Sequence, residues 1–271
     1  MESDAAQCAR SIFGIDPMDD LVSMIGDCIW NSCRGLTDIE VEAKVGLLID
    51  RRTNERIRLP VFTETVVDTK QLGVRFESDM SMDQHRRFNK LLNEVVAYSA
   101  KQAPEERVSY RHQKEIDSFY DERDPQTGQM AHLRVTRDAN TNQIQPNGVI
   151  AKKRIADINV YCPQRPFDYR ISINAETPMP APQDSAEASF VREKDRLSYT
   201  HQNINVDLTQ VILPNKPKEP VHELEVEIRD SAQLMKLASD SRDSNGAPLQ
   251  EWTPFDDTIL ILLNNVRLLI R

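Results

Sequence analysis

The sequence predicts an α+β protein in which many antiparallel strands form a sandwich or a barrel, with helices packed on the sheet. Three observations support this prediction. About eight or more short segments alternate apolar and polar residues and are separated by polar turns. Segments with helical periodicity lie at both ends of the chain and once between the strands. The chain has 271 residues, which is enough for one large domain with a core.

The N-terminal part predicts a helix, then strands, then a second helix. Apolar residues recur at helical spacing over residues 16–34, and residues 38–48 alternate as a strand does. Residues 56–67 and 72–80 are rich in Val, Thr and Phe and are predicted strands. The capping-box pattern "SMDQ" at residues 81–84 predicts the start of the second helix.

The rest of the chain predicts strand after strand and then two helices. Turn motifs such as "DPQTGQ", "DANTNQIQPNG" and "CPQRP" interrupt the segment 107–228. Residues 230–239 and 254–270 are predicted helices, joined by a loop over 239–248. We expect a single domain over residues 1–271, with residues 1 to about 15 as a flexible N-terminal segment.

Composition and charge exclude several classes of protein. A net charge of −9 argues against a broad basic surface that coats nucleic acid, although it allows a basic interior. No apolar run is long enough to span a membrane, and the N-terminus lacks a secretion signal. Cys8, Cys28, Cys33 and Cys162 show no zinc spacing, which indicates free thiols in a reducing compartment.

Two segments place glutamates at every second position. "HELEVEIR" carries Glu223, Glu225 and Glu227, and "DIEVEAK" carries Glu40 and Glu42. Because a strand sends alternate side chains to opposite faces, each segment has an acidic face and an apolar face. For one strand alone, the simpler interpretation is an acidic face that contacts water.

Other strands carry basic rows with the same period. Arg192, Lys194 and Arg196 share one face, and several strands mix charge with Ser, Thr and Asn, as a lined cavity would. A closed barrel with a polar interior and an apolar outer face under helices satisfies both patterns. Crowded carboxylates then require protonation or a cation, and a hard divalent metal suits an all-carboxylate set. Arg and Lys opposite that metal would hold a polyanion.

In their order along the chain, these motifs resemble one known family. "DIEVEAKVG" and "HELEVEIR" are similar to the two glutamate signatures of the fungal-type mRNA 5′-triphosphatases, which are metal-dependent enzymes of the triphosphate tunnel metalloenzyme superfamily. "KKRIADINVY", "DYRISINAE", "REKDRLSYTH" and "VDLTQV" fall between them in the family's order. The resemblance covers residues 16–271. It implies a closed eight-stranded antiparallel β-barrel with helices outside, and removal of the γ-phosphate from 5′-triphosphate RNA as the first step of capping.

The resemblance also implies roles for individual residues. Glu40, Glu42 and Glu227 match the family's ligands for Mg²⁺ or Mn²⁺, and Glu223 and Glu225 match two further essential glutamates. Glu176 matches a glutamate that positions the attacking water, while Asp207 and Thr209 match a supporting pair. The implied phosphate-binding residues are Arg134, Lys194 and Arg196, with Lys153, Arg154, Arg170 and Arg192 as further tunnel contacts. Two positions depart from the family, since Val45 stands where Phe is frequent and Asn205 where a basic residue is frequent.

The family's partners are implied in the same way. They are the 5′-triphosphate end of nascent mRNA, an mRNA guanylyltransferase and the RNA polymerase II machinery, in the nucleus and away from membranes. A nucleoside triphosphatase side activity with manganese or cobalt is also implied. The first helix, with Ile25, Ile29 and Trp30, is either a homodimer face or an element packed on the barrel.

Three other functions remain open at this point. A hydrolase of inorganic tripolyphosphate or nucleotides would use the same fold, because its substrates share the triphosphate. A non-catalytic barrel that binds polyanions would need the basic face but not five paired glutamates. A structural β-sandwich would turn both charged rows to water.

Overall fold

The computed structural model describes residues 12, 19–123, 130–183, 186–243, 245–247 and 251–271, so most of the predicted N-terminal segment lies outside the described residues. The helices are α1 Asp20–Cys33, α2 Met82–Ser99, α3 Ser231–Asp240 and α4 Pro254–Leu269, with a 3₁₀ turn at Pro104–Glu106. The strands are β1 Ile39–Asp50, β2 Thr65–Val67, β3 Val74–Glu77, β4 Ser109–Arg123, β5 Met130–Asp138, β6 Ile144–Tyr161, β7 Asp168–Pro178, β8 Phe190–His201, β9 Ile204–Leu213 and β10 Lys216–Ile228.

Eight of these strands close into an antiparallel barrel. The hydrogen-bonded order is β10-β9-β8-β4-β5-β6-β7-β1, and β1 pairs with β10 to close the ring. The short strands β2 and β3 add to the outside of this ring, on β6 and β1. The predicted barrel is therefore confirmed, and the sandwich alternative is wrong.

The apolar faces of the strands lie outside and carry the helices. Val41, Ala43, Val226 and Leu224 alternate with the glutamates and are fully buried under helices. Helix α4 contacts α1, α3, β1 and β10, and this layer forms the main core. The start of α2 agrees with the prediction, because Ser81 and Gln84 form the capping box.

The first helix uses its apolar face within the chain. Ile25 and Ile29 are fully buried, and Gly26 lies where a Cβ would meet the Phe255 ring of α4 at 3.1 Å. Ile25 and Ile29 therefore pack within the chain, as one of the two interpretations of this helix predicted, and a homodimer face on α1 stays a prediction. No helix in the described ranges is long and apolar enough to cross a membrane.

The predicted strand at residues 56–67 is mostly wrong. Only Thr65–Val67 is a strand, and the preceding residues form an irregular segment. Pro60 removes a backbone donor there, and the Arg56 guanidinium binds Asp168 at 2.6 Å and the Cys162 carbonyl at 2.9 Å. Together with Leu48 and Val74, Ile57 forms a second, small core beside the barrel.

Candidate active site

The charged rows of the sequence face the interior of the barrel. Register and contacts place polar side chains from all eight strands on this inner face. The water-exposed interpretation of the acidic strands is therefore wrong, because their outer positions are the buried apolar ones. The inward-facing residues include Glu40, Glu42, Lys44, Glu115, Asp117, Arg134, Thr136, Lys152, Arg154, Arg170, Ser172, Asn174, Glu176, Arg192, Lys194, Arg196, Asp207, Thr209, Glu223, Glu225 and Glu227.

The two glutamate strands are direct neighbours. Glu42 of β1 stands opposite Glu227 of β10, and Lys44 stands opposite Glu225. The Lys44 ammonium contacts the Glu225 carboxylate and lies 3.6 Å from Glu42. We call Glu40, Glu42, Glu225 and Glu227 the acidic wall, since two strands from opposite ends of the chain bring these four carboxylates together.

The acidic wall is only partly neutralised. Burial and the neighbouring Glu225 raise the pKa of Glu42 to about 7, against the opposing effect of Lys44. Burial, followed by Glu40 and Asp207, raises the pKa of Glu227 to about 8. Among the described residues, no side chain forms an ion pair with Glu227. Negative charge at Glu227 and Glu42 therefore lacks a sufficient counter-charge from the protein.

Glu225 and Glu40, by contrast, have lowered pKa values because lysines lie next to them. Burial alone would raise the pKa of Glu225, but Lys44 and Arg196 outweigh it and lower that pKa to about 2. Burial of Glu40 is likewise outweighed by Lys152, which lowers its pKa. Asn174 donates to Glu40 at 2.7 Å and to Glu42 at 3.3 Å, which fixes both carboxylates. Glu223, further along β10, accepts a hydrogen bond from Ser78 at 3.3 Å.

The prediction that Lys153 of β6 contacts phosphate in the tunnel is wrong. Lys153 lies exposed on the outer face, opposite Ala175. Its neighbour Lys152 points inward, contacts Glu40 and lies 3.2 Å from Glu176. The alternation of "KKR" allowed either face, and only the pairing of Lys152 with Glu176 across β6 and β7 decides it.

The opposite wall of the barrel is basic, and its cations are matched by carboxylates. Lys194 lies 3.0 Å from both Glu115 and Asp117, and Arg192 lies 3.0 Å from Asp117. Arg196 lies 3.0 Å from Asp207. We call Arg192, Lys194 and Arg196 of β8 the basic wall.

Glu115 and Asp117 are the main components of the site that sequence reasoning missed. Asp117 is fully buried; burial would raise its pKa, but Lys194 and Arg192 lower it to about 2. Both residues alternate in "EIDSF" on β4, so their period was visible in the sequence. Two alternating acids on one strand do not by themselves predict a site. Only the pairing of β4 with β8 brings Asp117 next to Lys194 and Arg192.

Glu176 and Arg134 connect the two walls. The Arg134 guanidinium lies 3.5 Å from Glu176, which in turn contacts Lys152. Burial, followed by Glu40, raises the pKa of Glu176. Arg134 stands opposite Phe119 on β4, next to the basic wall. Glu176 and the predicted phosphate-binding residues other than Lys153 therefore lie on the inner face.

Arg154 and Arg170 belong to a further polar network on the inner face. Arg154 donates to Asn174 at 2.6 Å and to Ser172 at 3.0 Å, and Arg170 donates to Asn159 at 2.8 Å. A register shift between Arg154 and Ala156 turns Asn159 inward, which simple alternation along β6 would not predict. Arg154 is thereby linked through Asn174 to the acidic wall.

The predicted supporting pair, Asp207 and Thr209, lies on the inner face with Asn205, whereas Val45 lies on the outer face. Asp207 is held by Arg196 and by Asn205, which donates to it at 2.7 Å, whereas the buried Thr209 hydroxyl has no partner among the described residues. Val45 is fully buried on the outer face, so the difference from the family at this position lies in the core under the helices and not on the inner face of the barrel. Asn205 lies on the inner face and donates to Asp207 beside the Arg196 guanidinium.

Known proteins share this fold and much of the sequence. The family model described as "mRNA capping enzyme, beta chain" matches residues 15–271. The chain belongs to this family. The mRNA-capping enzyme subunit beta of Schizosaccharomyces pombe is 36% identical over 238 residues, covering 86% of this chain and 74% of that protein. The corresponding subunit of Cryptococcus neoformans is 33% identical, covering 98% of this chain and 65% of that protein.

A solved structure of a capping-enzyme relative agrees with the barrel. The structure of S. pombe Pct1 RNA triphosphatase in complex with the Spt5 CTD superposes with a TM-score of 0.83 at 31% identity, covering 98% of this chain and 99% of that one. The family membership predicted from the two glutamate signatures is confirmed.

The acidic wall has the donor chemistry for a hard divalent cation. Glu40, Glu42 and Glu227 offer carboxylate oxygens on two paired strands, and burial and neighbouring carboxylates raise the pKa values of Glu42 and Glu227, an effect that a bound cation would oppose. Within the described residues, no three such side chains already form a complete metal shell. Lys44 and Lys152 contact Glu225 and Glu40 instead. The carboxylate chemistry of Glu40, Glu42 and Glu227 suits a hard divalent ion.

Proposed function

We propose that this barrel removes the γ-phosphate from the 5′-triphosphate end of RNA with the help of Mg²⁺ or Mn²⁺. The chain is an RNA triphosphatase of the mRNA capping pathway, as its family and its solved relatives are. One observation supports this proposal above all. An under-neutralised acidic wall and a pre-built basic wall line the same interior, close enough for Arg196 to lower the pKa of Glu225.

The basic side chains would bind the γ-phosphate. Lys194 is almost fully buried, and its carboxylate partners hold it in one place. Arg196 and Arg134 offer planar guanidinium groups that match phosphate oxygens. Because phosphoryl transfer requires positioning and charge neutralisation rather than covalent work by the protein, such a fixed set of cations is suited to it.

Glu40, Glu42 and Glu227 would hold the divalent ion. Such an ion, when bound, would neutralise charge on the γ-phosphoryl oxygens. Glu225 and Glu223 would instead position basic groups, as Glu225 does with Lys44. Glu176 would orient the attacking water, since burial raises its pKa and makes the carboxylate a stronger base.

The partners and the location follow from the same proposal. A capping-enzyme beta subunit would act with a guanylyltransferase on nascent transcripts of RNA polymerase II in the nucleus. The structure of the S. pombe relative is a complex with the Spt5 CTD, which supports a link to the transcription machinery. The homodimer that the resemblance implies would use surface residues other than the buried Ile25 and Ile29 of α1. Free nucleoside triphosphates would be side substrates, because they carry the same triphosphate.

The experiment is a phosphate-release assay on γ-labelled triphosphate RNA with Mg²⁺, with Mn²⁺ and with EDTA. We expect release that requires metal and is lost in Glu42→Ala and in Arg196→Ala. Glu219→Gln, an exposed position on the same strand as the acidic wall, serves as the control and should keep full activity. An unaltered rate in EDTA would contradict the metal role. No release under any metal would contradict the enzymatic function and favour the polyanion-binding alternative.

A further inference from the structure

Two phenylalanines interrupt the charged inner face beside the basic wall. Phe119 of β4 and Phe190 of β8 stand directly opposite each other, on the same face as the neighbouring pair Asp117 and Arg192. Their ring centroids lie 5.6 Å apart with a 42° tilt. The Arg192 guanidinium lies 5.2 Å from the centre of the Phe119 ring. The phosphate-binding role gives no reason for aromatic rings at this position.

Exposure along β8 shows that these rings lie towards a mouth of the barrel. Phe190, the first residue of the strand, is 43% exposed, whereas Lys194 is only 6% exposed. A large apolar ring on a wet, charged surface contributes little to folding. Phe190 is thus an exposed aromatic side chain at the entrance to the phosphate-binding interior.

The distance from the phosphate grip matches the length of a nucleotide. Phe190 and Lys194 are four residues apart on one strand, which is roughly 13 Å at the usual rise. If Lys194 holds the γ-phosphate, the remaining two phosphates and the ribose span this interval, and Arg134, the direct neighbour of Phe119 in the sheet, lies at its outer end. Arg192 stands between Lys194 and Phe190, where it can meet the phosphates nearer the ribose.

We propose that Phe190 and Phe119 form a stacking platform for the base of the first nucleotide of the RNA. Phenyl rings stack on any base because they read no hydrogen-bonding pattern, so the platform would accept all four bases. It would distinguish a nucleotide or an RNA end from inorganic tripolyphosphate, which has no base. This inference rests on the proposed function and adds a determinant of substrate class to it.

The test compares three substrates: triphosphate RNA, ATP and inorganic tripolyphosphate. Phe190→Ala should raise KM for RNA and for ATP about tenfold, as expected for one lost base–aromatic stack, and leave tripolyphosphate hydrolysis unchanged. Phe190→Trp should restore KM, whereas Phe190→Leu, which keeps apolar bulk, should not. Phe62→Ala, at an 86% exposed site away from the inner face, is the matched control. Equal losses on all three substrates, or no loss on any, would overturn the platform.

A binding measurement separates this inference from the proposed reaction. In Phe190→Trp, with EDTA present and the signal of the wild type subtracted, ATP should quench the added tryptophan fluorescence and tripolyphosphate should not. This readout requires no hydrolysis, so it would support the platform even if phosphate release failed. Equal quenching by both ligands, or none by ATP, would contradict stacking at this position.

Discussion

The acidic wall and the basic wall of the barrel are built in different ways. Every cation of the basic wall has a carboxylate within 3.0 Å, supplied by Glu115, Asp117 or Asp207. On the acidic wall, Lys44 and Lys152 neutralise Glu225 and Glu40, but Glu227 has no cationic partner in the described part of the chain. The difference indicates that the basic wall is complete without ligand, whereas the acidic wall is completed by a cation that the protein does not supply.

Glu227→Gln is the substitution expected to have the largest effect on the acidic wall. We expect phosphate release to fall about 1000-fold, since a charged group at the reacting centre is lost. Thermal stability without metal should instead increase. The pKa of Glu227 is raised to about 8, so ionisation of this buried carboxyl destabilises the folded state. The destabilisation grows as pH rises from the ordinary glutamate pKa towards 8, and glutamine, which carries no charge, removes it.

The measurement for this variant is a pair of melting curves. The gain in Tm should be largest near pH 9 and small near pH 5, where the native carboxyl is protonated. Glu219→Gln on the same strand should change neither activity nor Tm. A Tm that falls at pH 9 in Glu227→Gln would mean that this carboxylate is already neutralised by the protein.

The basic wall should respond in the opposite direction when its carboxylate is neutralised. Asp117→Asn leaves Lys194 and Arg192 without their shared buried partner. Breaking such a pair costs about 3 kcal/mol. For a chain of this size, that lowers Tm by about 6–12 °C.

Chemical or thermal denaturation measures this effect. Asp121→Asn is the control, because its pair with His132 is exposed and such pairs contribute about 0–1 kcal/mol. If both variants melt alike, the basic wall is not held by buried ion pairs, and the contrast between the walls disappears.

The smallest expected effect separates two adjacent lysines. Lys152→Gln removes the cation that links Glu40 and Glu176 and should reduce phosphate release about tenfold. Lys153→Gln, on the outer face, should stay within about twofold of the wild type. Steady-state rates of both variants decide the matter, and a larger loss in Lys153→Gln would restore the sequence-based assignment.

Much of the fold was predictable because period and polarity agree along the strands. The glutamates of "DIEVEAK" and "HELEVEIR" alternate with residues that are fully buried under helices, so one pattern fixed both faces. The inward side of "KKRIADINV" was not predictable, since a register shift follows Arg154 and both lysines fit an alternating strand. Glu115 and Asp117 became meaningful only through pairing with β8, which no local pattern encodes.

The most direct test of the central claim is calorimetric titration of the EDTA-treated protein with Mn²⁺ at pH 6.5 and pH 8. Glu42 and Glu227 have pKa values raised to about 7 and about 8, so protons compete with the metal at the lower pH. We predict binding of Mn²⁺ that tightens from pH 6.5 to pH 8 in the wild type and is lost in Glu227→Gln. Equal binding by both proteins, or no binding by the wild type at either pH, would contradict the claim that the acidic wall is completed by a cation.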